Sequence, residues 1–165
     1  MSKSIILNDQ EINHKIRRIA FQILENNSNE KEIIIAGIAK NGYLFAEKIV
    51  TVLESITNAT ITLCEVKMDK KNPLGEIKTS ISKEAYKNKS MVLVDDVLNS
   101  GSTLIYAIRH FLSVPLKQFQ TAVLVNRNHK KFPVKADFKG VSLSTSIQEH
   151  ITVEFKKNKS VAYLE

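Results

Sequence analysis

Apolar residues are spaced in two ways along this chain, and the two ways alternate. From Asn8 to Asn26, Ile12, Ile16, Ile19, Ala20, Ile23 and Leu24 recur three or four positions apart, the spacing that gathers one face of an α-helix. Asn8, with Glu11 three residues on, reads as a variant capping box at its start. EIIIAGI (32–38) is a short continuous apolar run, the mark of a strand covered on both faces. A loop, AKNG (39–42), leads to a helix from about Tyr43 to Leu53 carrying Leu44, Phe45, Ile49, Val52 and Leu53. ATITLCEV (59–66), rich in β-branched residues, predicts a second strand. SMVLVDD (90–96) predicts a third, Thr103 to Leu112 a helix, and FQTAVLVN (119–126) a fourth strand. VKADFKGVSLST (134–145) and HITVEF (150–155) predict shorter strands that close the sheet or form a flap.

Unbroken apolar strands alternating with helices imply βαβ units: an α/β fold, with a mostly parallel twisted sheet and helices on both faces. The length suits one domain over residues 1–165, with no repeat or linker. Residues 67 to 80 break every period with lysines, Pro73 and Gly75, and predict a long exposed loop. Such loops are often lids. In parallel sheets ligands bind at the carboxyl ends of strands. Both AKNG and DDVLNSGST (95–103) lie at that edge.

Composition narrows the picture. No apolar run approaches the ~18 residues that span a membrane, and MSKSIILNDQ lacks the apolar stretch of a signal peptide. The single cysteine, Cys64, has strand-like flanks and reads as a small core residue. A cytoplasmic protein is expected. The net charge of +7 favours anionic partners: phosphorylated metabolites, nucleic acid or acidic membrane surfaces. Much of that charge lies in 67–78, 129–131 and 155–159.

DDVLNSGST carries the clearest chemistry. Gly101 permits a tight turn, and successive backbone N–H groups at the start of a helix suit a phosphate. Ser100, Ser102 and Thr103 add hydroxyl donors. The lysine and spacing of a nucleoside-triphosphate loop are missing. Asp95 and Asp96 should point to opposite sides of their strand. They therefore suit hydrogen bonds from vicinal sugar hydroxyls, or a place beside a magnesium held mainly by the substrate, better than joint chelation. A phosphate cradle next to acceptors for a diol describes a ribose 5-phosphate. The acidic pair of a receiver domain would follow the first strand instead of the third.

Residues 91–103 resemble the phosphoribosyl-pyrophosphate (PRPP) signature of type I phosphoribosyltransferases: four apolar residues, two acids, two apolar residues, then a small-residue turn ending in threonine. IILNDQEINHKIRRIAFQILE (5–25), IAGIAKNGYLFAEKI (35–49) and TAVLVNRNHKKFPVKADFKGVSLSTS (121–146) are similar to the bifunctional pyrimidine operon attenuator/uracil phosphoribosyltransferase family. Only 67–89 agrees poorly.

The resemblance implies transfer of a 5-phosphoribosyl group from PRPP to a nucleobase, uracil foremost, with Mg2+ as cofactor. It implies that Asp95 and Asp96 bind the ribose hydroxyls and screen positive charge on the ribose. Asn99, Ser100, Gly101, Ser102 and Thr103 would hold the 5-phosphate. Ala39, Lys40, Asn41 and Gly42 would face the pyrophosphate, and Arg127 the nucleobase end. The loop 67–80 would be a lid, with Lys67, Lys70, Lys71 and Lys78 as pyrophosphate partners. A small hood would form from the N-terminal segment and residues 126–146. Asn41 stands where the family often has a basic residue, and Asn126 where many members place an aspartate. The same resemblance implies a homodimer or larger assembly. It also supplies an alternative: an RNA-binding attenuator that recognises leader RNA and senses nucleotides with little or no catalysis.

Overall fold

A computed structural model describes residues 2–165. Ser4–Leu7 (β1) leads into Asp9–Asn26 (α1), Glu32–Ile38 (β2), Asn41–Ile56 (α2) and Thr60–Lys67 (β3). Lys78–Thr79 (β4), Lys83–Tyr86 (α3), Ser90–Leu98 (β5) and Ser102–Phe111 (α4) follow. Gln118–Arg127 (β6), Phe138–Leu143 (β7), Ile151–Glu154 (β8) and Val161–Leu164 (β9) complete the chain.

The main sheet has the order β4-β3-β2-β5-β6-β7. All its pairings are parallel except β3 with the short β4. Alternate strand residues feed two cores. Ile33, Ile35, Val92 and Val94 pack with α1 and α2, while Ile34, Ala36, Ile38, Met91 and Leu93 pack on the other face with Leu104, Ala107 and Phe111 of α4. Burial on both faces is why these strands show no polar alternation. Cys64 is a buried core residue.

The α1 start is as the spacing predicts: the Asn8 side chain accepts from the Glu11 N–H and the Glu11 carboxylate accepts from the Asn8 N–H. Other boundaries move. β5 runs two residues beyond Asp96, because Val97 and Leu98 continue to pair with Val125 and Asn126 of β6. α2 begins at Asn41, so half of the AKNG loop is helical. The loop 67–80 contains β4, and Met68 and Ile77 pack against the core, so both of its ends are anchored.

A second, three-stranded antiparallel sheet has the order β1-β9-β8. Ser4–Leu7 of the N-terminal segment belongs to it. Residues 126–146 do not: they provide the end of β6 and the whole of β7, which pairs in parallel with β6. The second sheet draws on 151–154 and 161–164 instead. Four-residue strands carry too little periodicity to reveal this partnership in advance.

Candidate functional site

β2 and β5 are neighbours, and the chain runs from them in opposite directions across the sheet, to β3 on one side and to β6 on the other. This is a topological switch point, where a crevice opens beyond the strand ends. The 39–42 turn follows β2 and the 95–103 segment ends β5, so the register sets them side by side. Contact between them is close. A Cβ on Gly42 would lie 2.8 Å from the Val94 carbonyl oxygen and 3.0 Å from the Asp95 Cα.

Asp95 is only 2% exposed. Its Oδ1 accepts from Lys70 Nζ at 3.0 Å and from the Asp96 N–H at 2.9 Å. Burial drives its pKa up to about 7; the Lys70 ammonium opposes that rise and the Asp96 carboxylate adds to it. Asp96 Oδ2 accepts from Asn41 Nδ2 at 3.2 Å, and its Oδ1 lies 3.8 Å from Lys70 Nζ. Strand alternation alone would part the two acids. Instead Asp95 Oδ1 turns along the strand toward the next amide, and one long lysine reaches both. Burial lowers the Lys70 pKa, but the two carboxylates outweigh it and hold the ammonium above its ordinary value.

Asn41 joins three elements, because its Nδ2 also donates to the Val153 carbonyl of β8 at 2.8 Å. Lys40 is exposed, and the Ala39–Lys40 peptide bond is cis.

Gly101 has φ +88°, the left-handed region, and stands at the N-cap of α4 without a side-chain cap. A Cβ there would meet Val134 Cγ1 at 2.5 Å. The Ser102 N–H donates to Ser100 Oγ at 3.2 Å. The Lys131 and Phe132 N–H groups both donate to the Ser100 carbonyl, at 2.8 and 3.1 Å. Residues 131–134 thus brace the turn from behind, a role with no signal in the sequence. The amides of the first helical turn have no intrahelical acceptor, and those beyond Ser102, whose N–H meets Ser100 Oγ, are left able to receive an anion at the positive end of the helix.

Asp95, Asp96, Asn99, Ser100, Gly101, Ser102 and Thr103 line one cavity of about 210 Å³, together with Lys70 and Ile151. Ala39, Lys40, Asn41 and Gly42 adjoin it without lining it, with Asn41 bonded to Asp96. Arg127 does not line this cavity and is 7% exposed. Its Nε, Nη1 and Nη2 are already engaged, by Thr145 Oγ1, by Asn99 Oδ1 and by the carbonyls of Ser146 and Glu149. The His129 ring faces the Thr145 carbonyl. Asn126 Nδ2 donates to Ser142 Oγ at 3.2 Å, while its buried Oδ1 has no partner among the described residues. Lys67, Lys71 and Lys78 lie off the cavity; Lys78 pairs with Glu76. Among the described residues no three acidic, histidine or cysteine side chains gather as a metal site, and no helix is long and apolar enough to cross a membrane.

The arrangement can hold a phosphate at one end and accept hydrogen bonds from hydroxyls at the other, a few residues apart on one strand-to-helix turn. Comparison with known proteins agrees with that chemistry. Residues 2–158 match the model of the phosphoribosyl transferase domain. The chain is 34% identical over 162 residues to "Bifunctional protein PyrR" of Macrococcus caseolyticus, covering 93% of this chain and 92% of that protein. It is likewise 34% identical to "Bifunctional protein PyrR" of Fusobacterium nucleatum, covering 93% and 91%. Among solved structures it superposes on a hypoxanthine-guanine phosphoribosyltransferase from Bacillus anthracis with a TM-score of 0.73 at 18% identity, over 87% of this chain and 84% of that one. The hypoxanthine phosphoribosyltransferase of Trypanosoma cruzi in complex with the product IMP gives 0.74 at 14%, over 87% and 81%. These two likenesses concern the fold. A family model that spans nearly the whole chain, and relatives alike over nearly their full length, settle what the switch-point geometry indicated: the chain belongs to the type I phosphoribosyltransferases and is most like the bifunctional PyrR proteins.

Proposed function

We propose that this protein transfers the 5-phosphoribosyl group of PRPP to a nucleobase, uracil foremost, and releases pyrophosphate. One observation carries the reading: the acidic pair and the small-residue turn line the same cavity at the switch point. In this reading the 99–103 turn holds the 5-phosphate with backbone N–H groups and the Ser100 and Thr103 hydroxyls. Asp95 and Asp96 accept from the two ribose hydroxyls, and Lys70 yields its place between them as the diol enters.

The bond from ribose C1 to the pyrophosphate oxygen breaks, the electron pair leaves with pyrophosphate, and a ring nitrogen of the base bonds to C1 and gives up its proton. Positive charge develops on the ribose, where a fixed carboxylate helps most in a site sheltered from water. Lys70, and Lys40 on the adjoining turn, are the cations nearest the departing pyrophosphate in this scheme.

Magnesium enters as part of the PRPP substrate. Asp95 and Asp96 offer the hard oxygens that it favours. Two carboxylates already bridged by one ammonium are too few to hold the ion alone, which supports a metal carried mainly by substrate oxygens. When bound it would neutralise charge on the leaving group.

The test is pyrophosphate release with magnesium, PRPP and, in turn, uracil, hypoxanthine, guanine and xanthine. Release with uracil supports the full reading, release with another base alone corrects the substrate, and release with none sinks it.

A second reading, recognition of leader RNA, draws on the charge. Lys130, Lys131, Lys157 and Lys159 are exposed and in no ion pair among the described residues. Phosphate contacts would make such binding strongly salt-dependent. A gel shift with the leader RNA of its pyrimidine operon against unrelated RNA decides; equal affinity for both removes the specific version. The same reading places the protein in the cytoplasm as a homodimer or larger assembly, which sedimentation would measure.

A further inference from the structure

Arg127 is a buried cation with an unusual set of partners. No carboxylate lies within ion-pair distance of it among the described residues. A guanidinium does not lose its proton, so burial is tolerable only if its N–H groups are satisfied. Here neutral oxygens do this. Nη1 donates to Asn99 Oδ1 at 2.9 Å, Nε to Thr145 Oγ1 at 2.8 Å, and Nη2 to the Ser146 and Glu149 carbonyls at 3.1 and 2.8 Å.

These partners belong to two separate segments, of which Asn99 alone lines the cavity. Asn99 opens the phosphate turn and lines the cavity. The 145–149 segment runs directly into Ile151, another lining residue. Ser100 is already fixed on its outer side by the Lys131 and Phe132 amides. Arg127 supplies the matching restraint at Asn99, with a planar group that cannot bend.

We infer that Arg127 is a positioning residue, whose guanidinium locks Asn99 to the 145–149 segment and thereby sets the affinity of the phosphate turn for a sugar phosphate without touching the ligand. A turn ordered before binding loses less conformational freedom on binding. This inference rests on the phosphate-turn reading given above.

The experiment is calorimetric titration of ribose 5-phosphate into the wild type, Arg127→Met, Arg127→Lys, Asn99→Ala and the Arg127→Met/Asn99→Ala double variant. Each non-conservative single change weakens binding by about tenfold, the scale of one charged hydrogen bond. The double variant loses no more than Arg127→Met alone, because both changes cut one link. Arg127→Lys keeps the charge and regains part of the affinity. In steady-state assays the KM for PRPP rises while kcat and the KM for the base stay within about twofold, a split that general loosening would not give. Additive losses, or equal losses in every kinetic constant, overturn the inference. Absence of ribose 5-phosphate binding by the wild type overturns the phosphate-turn reading instead. If Arg127→Met does not fold, Arg127→Lys with Asn99→Ala completes the same cycle.

Discussion

Lys70 sets its ammonium 3.0 Å from the carboxylate of Asp95, a side chain otherwise walled off from water. The lysine comes from a loop of irregular sequence and the aspartate from the central strand, 25 residues later. Removing one partner of a buried charge leaves the other to bear its own desolvation. Lys70→Met should therefore push the Asp95 pKa further above its present value of about 7, and Asp96→Asn, which removes a like charge, should lower it. Carboxyl carbon shifts followed by NMR across pH would register both; no movement in either variant would deny the contact.

Stability should follow the same carboxyl. Its folded-state pKa of about 7 exceeds its ordinary value of 3.8, so the folded chain binds this proton more tightly than the unfolded chain. The contribution is fully present below pH 3.8 and is lost as pH rises toward 7. Asp95→Asn should flatten that part of the pH profile in urea unfolding. An unchanged slope between those limits would mean that Asp95 titrates as it does in water.

Gly101→Ala combines two costs. The residue sits at φ +88°, and the added methyl would meet Val134 Cγ1 at 2.5 Å. A non-glycine residue held in that region costs about 1–3 kcal/mol. Paired with Val134→Ala, the variant should recover the steric part and not the backbone part, read as the urea midpoint and as ribose 5-phosphate affinity. Full recovery would show that φ is not the constraint.

Gly42→Ala tests how closely the two turns must meet. Its methyl would press on the Val94 carbonyl and on Asp95, and overpacking of this kind costs about 1–3 kcal/mol. Because the displaced residue lines the cavity, kcat/KM should fall more steeply than stability does. Equal falls would make the contact structural alone.

Asn41→Ala cuts the bonds to Asp96 Oδ2 and the Val153 carbonyl. The half-buried partners left unsatisfied should cost about 1–3 kcal/mol. Amide exchange in β8 should quicken while exchange in β2 and β5 stays slow. Uniform acceleration would argue against a local tie between the two sheets.

The two kinds of prediction from sequence fared differently for physical reasons. The buried strands 32–38 and 90–96 were readable because burial on both faces demands an unbroken apolar run. The α1 start was readable because its cap is made by residues three apart. The antiparallel pairing of Ser4–Leu7 with Val161–Leu164 was not, since its partners lie at opposite ends of the chain and each strand is four residues long. The partners of Arg127 were unreadable for a related reason: nothing local to Arg127 tells that Thr145, Ser146 and Glu149 come back to meet its guanidinium.

By itself, the order of residues determined the α/β class, the parallel strands and the strand-to-helix turn at 99–103, all of which follow from periodicity and from neighbours within a few positions. Tertiary structure alone decided that Lys70 joins Asp95 to Asp96, that Asn41 ties Asp96 to β8, and that Arg127 faces inward. Each is a contact between residues far apart in the chain, set by strand order and burial, and periodicity carries no information about which distant side chains the fold will bring within hydrogen-bonding reach.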